Sequence, residues 1–239
     1  MPTECLFRED SYLKSCDARV VAVTEQGGIV LDRTVFYATS GGQPGDTGSL
    51  TFADGTRIPV ETAIYTDAAK TEIAHVLAVG ASALKDRRQR HRRDRLGQAL
   101  RPHAHAHGAA CYSLRCCPMP VTGGSVGDSE SRLDFDIPEA GLDKDAITAK
   151  VAEMVATNAA GQQSVDHRCR TRSQSGLVKT MSVKPPTGTG RVRLIEIAGL
   201  DLQPCGGTHV RATGEIGAVR VTQIEKKGKQ NRRVRLALA

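Results

Sequence analysis

Along the first third of the chain, hydrophobic residues come in short runs rich in β-branched side chains. Arg19-Val20-Val21-Ala22-Val23, Gly28-Ile29-Val30-Leu31 and Thr34-Val35-Phe36-Tyr37 each suit a strand, where branched side chains pack well on a pleated surface. Between them stand Gly27-Gly28, Asp32-Arg33, Gly41-Gly42 and Asp54-Gly55, the residue types that turns use. Ile58-Pro59-Val60 and Glu72-Ile73-Ala74-His75-Val76-Leu77 continue the pattern. Short strands separated by glycine turns predict a small β-barrel in an N-terminal domain spanning 1–85.

The remainder, 86–239, reads differently. Residues 84–101 are strongly charged and predict a linker or the start of a basic helix. Pro102 suits the first turn of a helix. On that helix His103 and His107 share a face with Cys111, while His105 points elsewhere. Arg132-Leu133-Asp134-Phe135-Asp136-Ile137 alternates as a half-buried strand does. Ile147, Val151, Met154 and Val155 recur at helical spacing, with Asp143 placed to cap the helix. Alternation returns in 191–197, 217–224 and 233–236. The second domain is therefore α+β, an antiparallel sheet packed on helices, and the chain as a whole is α+β.

Composition narrows the class. The chain has 239 residues, 39% hydrophobic and 25% charged, enough for a substantial core. No run approaches the roughly 20 apolar residues of a membrane span, so no membrane partner is expected, and the N-terminus carries acids rather than an apolar leader. Seven irregularly spaced cysteines fit a reducing cytoplasm better than a disulfide framework. The net charge of +7 is concentrated in two clusters, Arg87 to Arg95 and Lys226 to Arg235. Such clusters attract a polyanion, or are simply solvated surface. With aromatics at 3% and tryptophan absent, any nucleic acid would be held through phosphate and shape rather than by base stacking.

The candidate chemistry lies in Cys205-Gly206-Gly207-Thr208-His209 and in the three histidines of His103-Ala104-His105-Ala106-His107. Thiolate sulfur and imidazole nitrogen are what Zn²⁺ takes, and an open position keeps a water for chemistry. Gly206 and Gly207 either let backbone approach a bound ligand or form a tight turn. Thr208 either orients a ligand or caps that turn. Ser125, in Gly123-Gly124-Ser125, either lines a pocket or belongs to an ordinary turn. Gly41-Gly42-Gln43 resembles a phosphate-approaching loop but lacks the lysine of a nucleotide-binding one. No Ser-His-Asp order or carboxylate pair stands out, so no general base is assigned.

Three blocks carry a resemblance to the alanyl-tRNA editing proteins (AlaX), freestanding relatives of the editing domain of alanyl-tRNA synthetase. The first is Val30 to Tyr37 with Ser40-Gly41-Gly42-Gln43-Pro44-Gly45-Asp46-Thr47-Gly48. The second is Gly123 to Gly127 leading to Arg132-Leu133-Asp134-Phe135. The third is Asp201 to Val210, followed by Glu215-Ile216-Gly217. The resemblance implies hydrolysis of seryl- or glycyl-tRNA wrongly made for alanine. It also implies a zinc ion held by a His-x-x-x-His pair with Cys205 and His209, and a tRNA partner held partly by the N-terminal domain. His103 and His107 have the spacing of the family pair. Ser125, Gly206, Gly207 and Thr208 then line the substrate.

The chain departs from the family pattern at 86–118 and 158–174. The family helix reads His-Thr-Ala-x-His before leucines, whereas here His107 is followed by Gly108-Ala109-Ala110-Cys111. Two explanations stand side by side. One is genuine divergence. The other is a pair of compensated reading-frame shifts: under one codon choice, reading Pro102 to Cys111 a base later restores the family motif and puts His107 and Cys111 in the places of the pair. If the metal site is lost, the alternative function is a catalytically impaired relative that still binds tRNA.

Overall fold

The computed structural model describes residues 2–78, 95–100, 120–127, 129–137, 141–167 and 191–239. They gather in two compact units, the first drawn from Met1–Ser40 and Pro44–Pro102, the second from Gly41–Gln43 and His103–Ala239. The described structure is mostly sheet, with one α-helix.

In the first unit the short β1 (Glu4–Cys5) pairs in parallel with β4 (Arg33–Thr34). The other strands are antiparallel: β2 (Asp17–Val23), β3 (Ile29–Leu31), β5 (Gly48–Thr51), β6 (Arg57–Tyr65), β7 (Ile73–Leu77) and β8 (Arg95–Leu100). Pairing runs β2–β3–β7–β6–β5–β8, and β8 returns to β2, so the sheet curls on itself. Its core includes Leu31, Phe36, Leu50, Ile58 and Ile73. The expected strand over 34–37 is mostly absent. Val35, Phe36, Tyr37 and Ala38 are all buried rather than alternating, because side chains replace the missing ladder: the Phe36 N–H donates to Thr34 Oγ1 at 3.0 Å and the Tyr37 N–H to Asp46 Oδ2 at 2.7 Å. The linker or helix expected over 84–101 is also corrected. Its 95–100 part is a strand pairing with both β2 and β5; a sheet with two free edges overrides local charge.

The second unit holds a four-stranded sheet of β9 (Val121–Ser125), β10 (Ser131–Asp136), β14 (Val219–Lys227) and β15 (Asn231–Leu238), in the order β14-β15-β10-β9. A second sheet comprises β11 (Gly161–His167), β12 (Arg191–Ile197) and β13 (Asp201–Pro204). The helix α1 (Lys144–Ala156) starts where the sequence places it, with Asp143 Oδ1 accepting from the N–H groups of Asp145 and Ala146. Its Val151 joins Val121, Leu133, Phe135, Val234 and Leu236 in one cluster. The Thr148 hydroxyl accepts from the Val221 N–H at 3.1 Å. No described helix is long and apolar enough to cross a membrane.

The C-terminal basic cluster is partly committed to its own sheet. Arg233 makes a forked pair with Asp134 at 2.7 and 2.9 Å, a geometry that fits guanidinium to carboxylate, and Arg235 pairs with Glu130 and Glu225. Arginines that the sequence counts toward a polyanion surface are thus neutralised in place.

Candidate active site

The Cys205–His209 segment begins where a hairpin ends. Strands β12 and β13 turn at Gly199, whose φ of +73° suits glycine, and pair through Leu194 opposite Pro204. The Cys205 N–H donates to the Arg193 carbonyl at 3.1 Å and carries the ladder one residue further. Cys205 packs against Ile195 and Ile197, so its thiol is anchored by apolar neighbours on one side.

The turn that follows is held from two directions. Arg193 Nη1 donates to the Cys205 carbonyl at 3.1 Å and to the Gly207 carbonyl at 2.7 Å, while its Nε and Nη2 donate to Gln163 Oε1. One guanidinium therefore ties together both carbonyls flanking Gly206, and a charged donor makes the stronger kind of hydrogen bond. From the other side comes Gln43, buried with 6% of its surface exposed. Its Nε2 donates to Thr208 Oγ1 at 2.8 Å, and its Oε1 faces the Thr208 N–H at 3.4 Å.

Gly207 sits at the centre. A Cβ there would lie 3.0 Å from Gln43 Oε1, 3.7 Å from Cys205 Sγ and 4.0 Å from His209 Nε2. Three polar atoms thus converge on Gly207, and an added Cβ would press closely on one of them, Gln43 Oε1. Gly206 differs: it is exposed, and a Cβ there would meet nothing within 4 Å. Thr208 is buried, and so is His209 Nε2. Thiol and imidazole facing one cradle fit half the donor set of a zinc site. Among the described residues, no group of three or more His, Cys, Asp or Glu is placed to hold a metal ion. His103 and His107, with His105 and Cys111, lie outside the described residues.

The glycine-rich block is seated by the second block. Gly42 has a φ of +84°, and a Cβ on it would lie 2.3 Å from the Gly124 carbonyl oxygen and 3.2 Å from Ser125 Cα. The Val126 N–H donates to the Gly42 carbonyl at 2.7 Å. Ser125 is half-buried beside this loop. Gly41–Gln43 therefore belongs to the second unit although its chain neighbours on both sides belong to the first. Residues near 43, 124 and 208 meet in one place.

Of the expected site residues, the structure brings together Cys205, Gly207, Thr208 and His209, with Ser125 next to the loop that carries Gln43. Gly206 stays open. Sequence reasoning passed over Arg193 and met Gln43 only as part of a glycine-rich loop, without its tie to Thr208. Arg193 occupies an alternating position that reads as an ordinary outward side chain, and a single sequence contains nothing that ties position 43 to position 208.

Comparisons with known proteins bear on the same residues. Residues 192–235 match the model of the threonyl and alanyl tRNA synthetase second additional domain, and residues 11–88 match the class II (A) tRNA synthetase model. The chain is 34% identical to alanyl-tRNA editing protein AlaX-M of Methanosarcina mazei, over 99% of this chain and 96% of that protein. It is 32% identical to the protein of the same name in Methanosarcina barkeri, over 99% of both. The alanine–tRNA ligase of Sulfurisphaera tokodaii is 29% identical over 94% of this chain, which corresponds to 25% of the ligase.

Proposed function

The chain belongs to the alanyl-tRNA editing family, and on that footing we propose that it clears mischarged tRNA(Ala) by hydrolysing the ester of wrongly attached serine or glycine. The convergence of Gln43, Gly207, Thr208, Cys205 and His209 carries this reading. It joins the glycine-rich block to the Cys-x-x-x-His block through a buried amide.

In the reaction a water oxygen attacks the ester carbonyl carbon, the bond to the terminal ribose oxygen breaks, and the proton passes to that oxygen. The carbonyl oxygen gathers negative charge on the way, so donors aimed at it lower the barrier. Gly206 and Gly207 offer backbone N–H groups with no side chain in the way. The Thr208 hydroxyl accepts from Gln43 Nε2. It therefore keeps its own proton to donate, and a serine hydroxyl is a group it can hold while alanine is not. Ser125 borders the amino-acid end of the substrate. Cys205 and His209, with His103 and His107, would hold Zn²⁺, which would supply a Lewis acid to polarise the carbonyl or a point to fix the amino acid. In this reading the N-terminal β-barrel, 1–85, helps to hold the tRNA, and 86–239 is the editing domain. The free thiols of Cys5 and Cys16 are at home in a reducing cytoplasm.

The test measures zinc per folded chain together with release of labelled serine and glycine from tRNA(Ala), for wild type and Cys205→Ala in parallel. Near-stoichiometric zinc and deacylation, both lost in the variant, are expected. A folded wild type that binds tRNA without zinc or deacylation would leave the impaired tRNA-binding relative in place of the enzyme.

A further inference from the structure

Arg232 is an anomaly of the four-stranded sheet. It lies on the core face of β15, in line with Val234 and Leu236, and only 6% of its surface is exposed. Its cross-strand neighbours in that row are Phe135, buried at 2%, and Lys226 on the far side. Among the described residues the guanidinium donates once, from Nη1 to the Asn231 carbonyl at 3.1 Å. Among the described residues no carboxylate pairs with Arg232 or with Lys226.

Two things about this row oppose folding. A guanidinium is a permanent cation, and burying one is unfavourable unless an opposite charge and hydrogen bonds compensate it. Like charges directly opposite on neighbouring strands repel. The rest of the sheet solves the same problem with carboxylates: Arg233 has Asp134, and Arg235 has Glu130 and Glu225. Among the described residues, the buried cation of the Arg232–Lys226 row has no such carboxylate. Lys226 is exposed, at the end of a hairpin whose tip also presents Lys229. The row therefore opens to solvent at its Lys226 end, with Arg232 buried behind it.

We propose that Arg232 and Lys226 form a clasp for a backbone phosphate of the RNA substrate. The planar fork of Arg232 presents its remaining donors to phosphate oxygens, and Lys226 adds a point charge from across the strand pair. The inference rests on tRNA being the partner, as proposed above, and adds where one of its phosphates is held.

The experiment measures affinity for uncharged tRNA(Ala) across a salt series, with urea unfolding of each protein without RNA. Wild type is compared with Lys226→Ala, Arg232→Met and Arg232→Lys, and with Lys150→Ala, which removes the same charge from a helix position paired to Glu153. Lys226→Ala is expected to weaken binding several-fold and to make the slope of log affinity against log salt shallower by about one. Arg232→Met does the same while raising the unfolding midpoint, because it removes a buried charge that no described carboxylate compensates. Arg232→Lys recovers part of the binding, and Lys150→Ala leaves the slope unchanged. A buried arginine with a merely structural role would behave in the opposite way, lowering the midpoint of Arg232→Met with tRNA affinity intact, and that result overturns the clasp. Should Arg232→Met fail to fold, an unchanged slope in Lys226→Ala is enough to overturn it. If inorganic phosphate raises the wild-type midpoint while the variants bind tRNA as wild type does, the row takes a free anion and the RNA assignment falls. Absence of tRNA binding in the wild type removes both the clasp and the proposed function; binding with unaltered slopes in the variants removes the clasp alone.

Discussion

Replacing Gly42 by alanine tests whether the glycine-rich loop is seated as described, and Gly41→Ala is its internal control. Both glycines have positive φ, +58° and +84°. Forcing an alanine into that region costs roughly 1–2 kcal/mol at either position. They differ in what the new methyl group meets. At Gly41 nothing lies within 4 Å, whereas at Gly42 the Gly124 carbonyl oxygen is 2.3 Å away. That oxygen is backbone of β9, which is paired to β10 and cannot swing aside as a flexible side chain would. Relief requires the loop or the strand to move by about an ångström, at an overpacking cost of roughly 1–3 kcal/mol. The same movement stretches the bond from the Val126 N–H to the Gly42 carbonyl, worth about 1 kcal/mol. Gly42→Ala should therefore be roughly 2–4 kcal/mol less stable than Gly41→Ala. In urea, with a slope of about 1–3 kcal/mol per molar, the gap corresponds to a midpoint difference on the order of 1–2 M. Equal midpoints for the two variants would refute the seating of this loop on β9, and with it the meeting of the three blocks.

Gln43→Ala leaves a buried hydroxyl and N–H of Thr208 without their amide partner, which should cost about 1–3 kcal/mol and reduce deacylation further than stability alone explains. Gln43→Glu, similar in size but without the donor, should recover little; activity equal to wild type in both variants would remove Gln43 from the site. A third prediction concerns pH. Burial raises Asp46 from 3.8 to about 6, while burial lowers His75 from 6.5 to about 4. For Asp46, stability is fully present below 3.8 and lost as pH rises through 6. For His75, stability is present above 6.5 and lost as pH falls through 4. Each effect amounts to about 3 kcal/mol, with opposite sign over nearly the same window. Between pH 6.5 and 4 the two effects offset each other, so Asp46→Asn should lose stability on acidification more steeply than wild type does. Unfolding curves across that range check this, and a flat profile in the variant would contradict the pairing of effects.

The strands that alternate were legible because one face of each meets a core: Leu133 and Phe135, Val234 and Leu236, Ile195 and Ile197 are all buried as their spacing requires. The cap at Asp143 was legible too, since capping is a local hydrogen bond. Local reasoning failed where the partner is remote. Residues 35–38 look like a strand, but Thr34 and Asp46 satisfy their backbone, so no alternation survives. Strand β8 is hidden behind the charged run that precedes it, and two waiting strand edges turn it into sheet.

By itself the sequence determined the residue types of the site, the family to which its blocks point, and the turns that need glycine, because each of these is written in neighbouring positions. Tertiary structure decided which residues share a space. It set Gln43 against Thr208, separated the crowded Gly207 from the open Gly206, and paired Arg233 and Arg235 with carboxylates while, among the described residues, Arg232 has none. Those relations depend on register and on contacts between residues as many as 165 positions apart, and a hydrogen bond or a clash exists only once the fold has brought both partners to the same place.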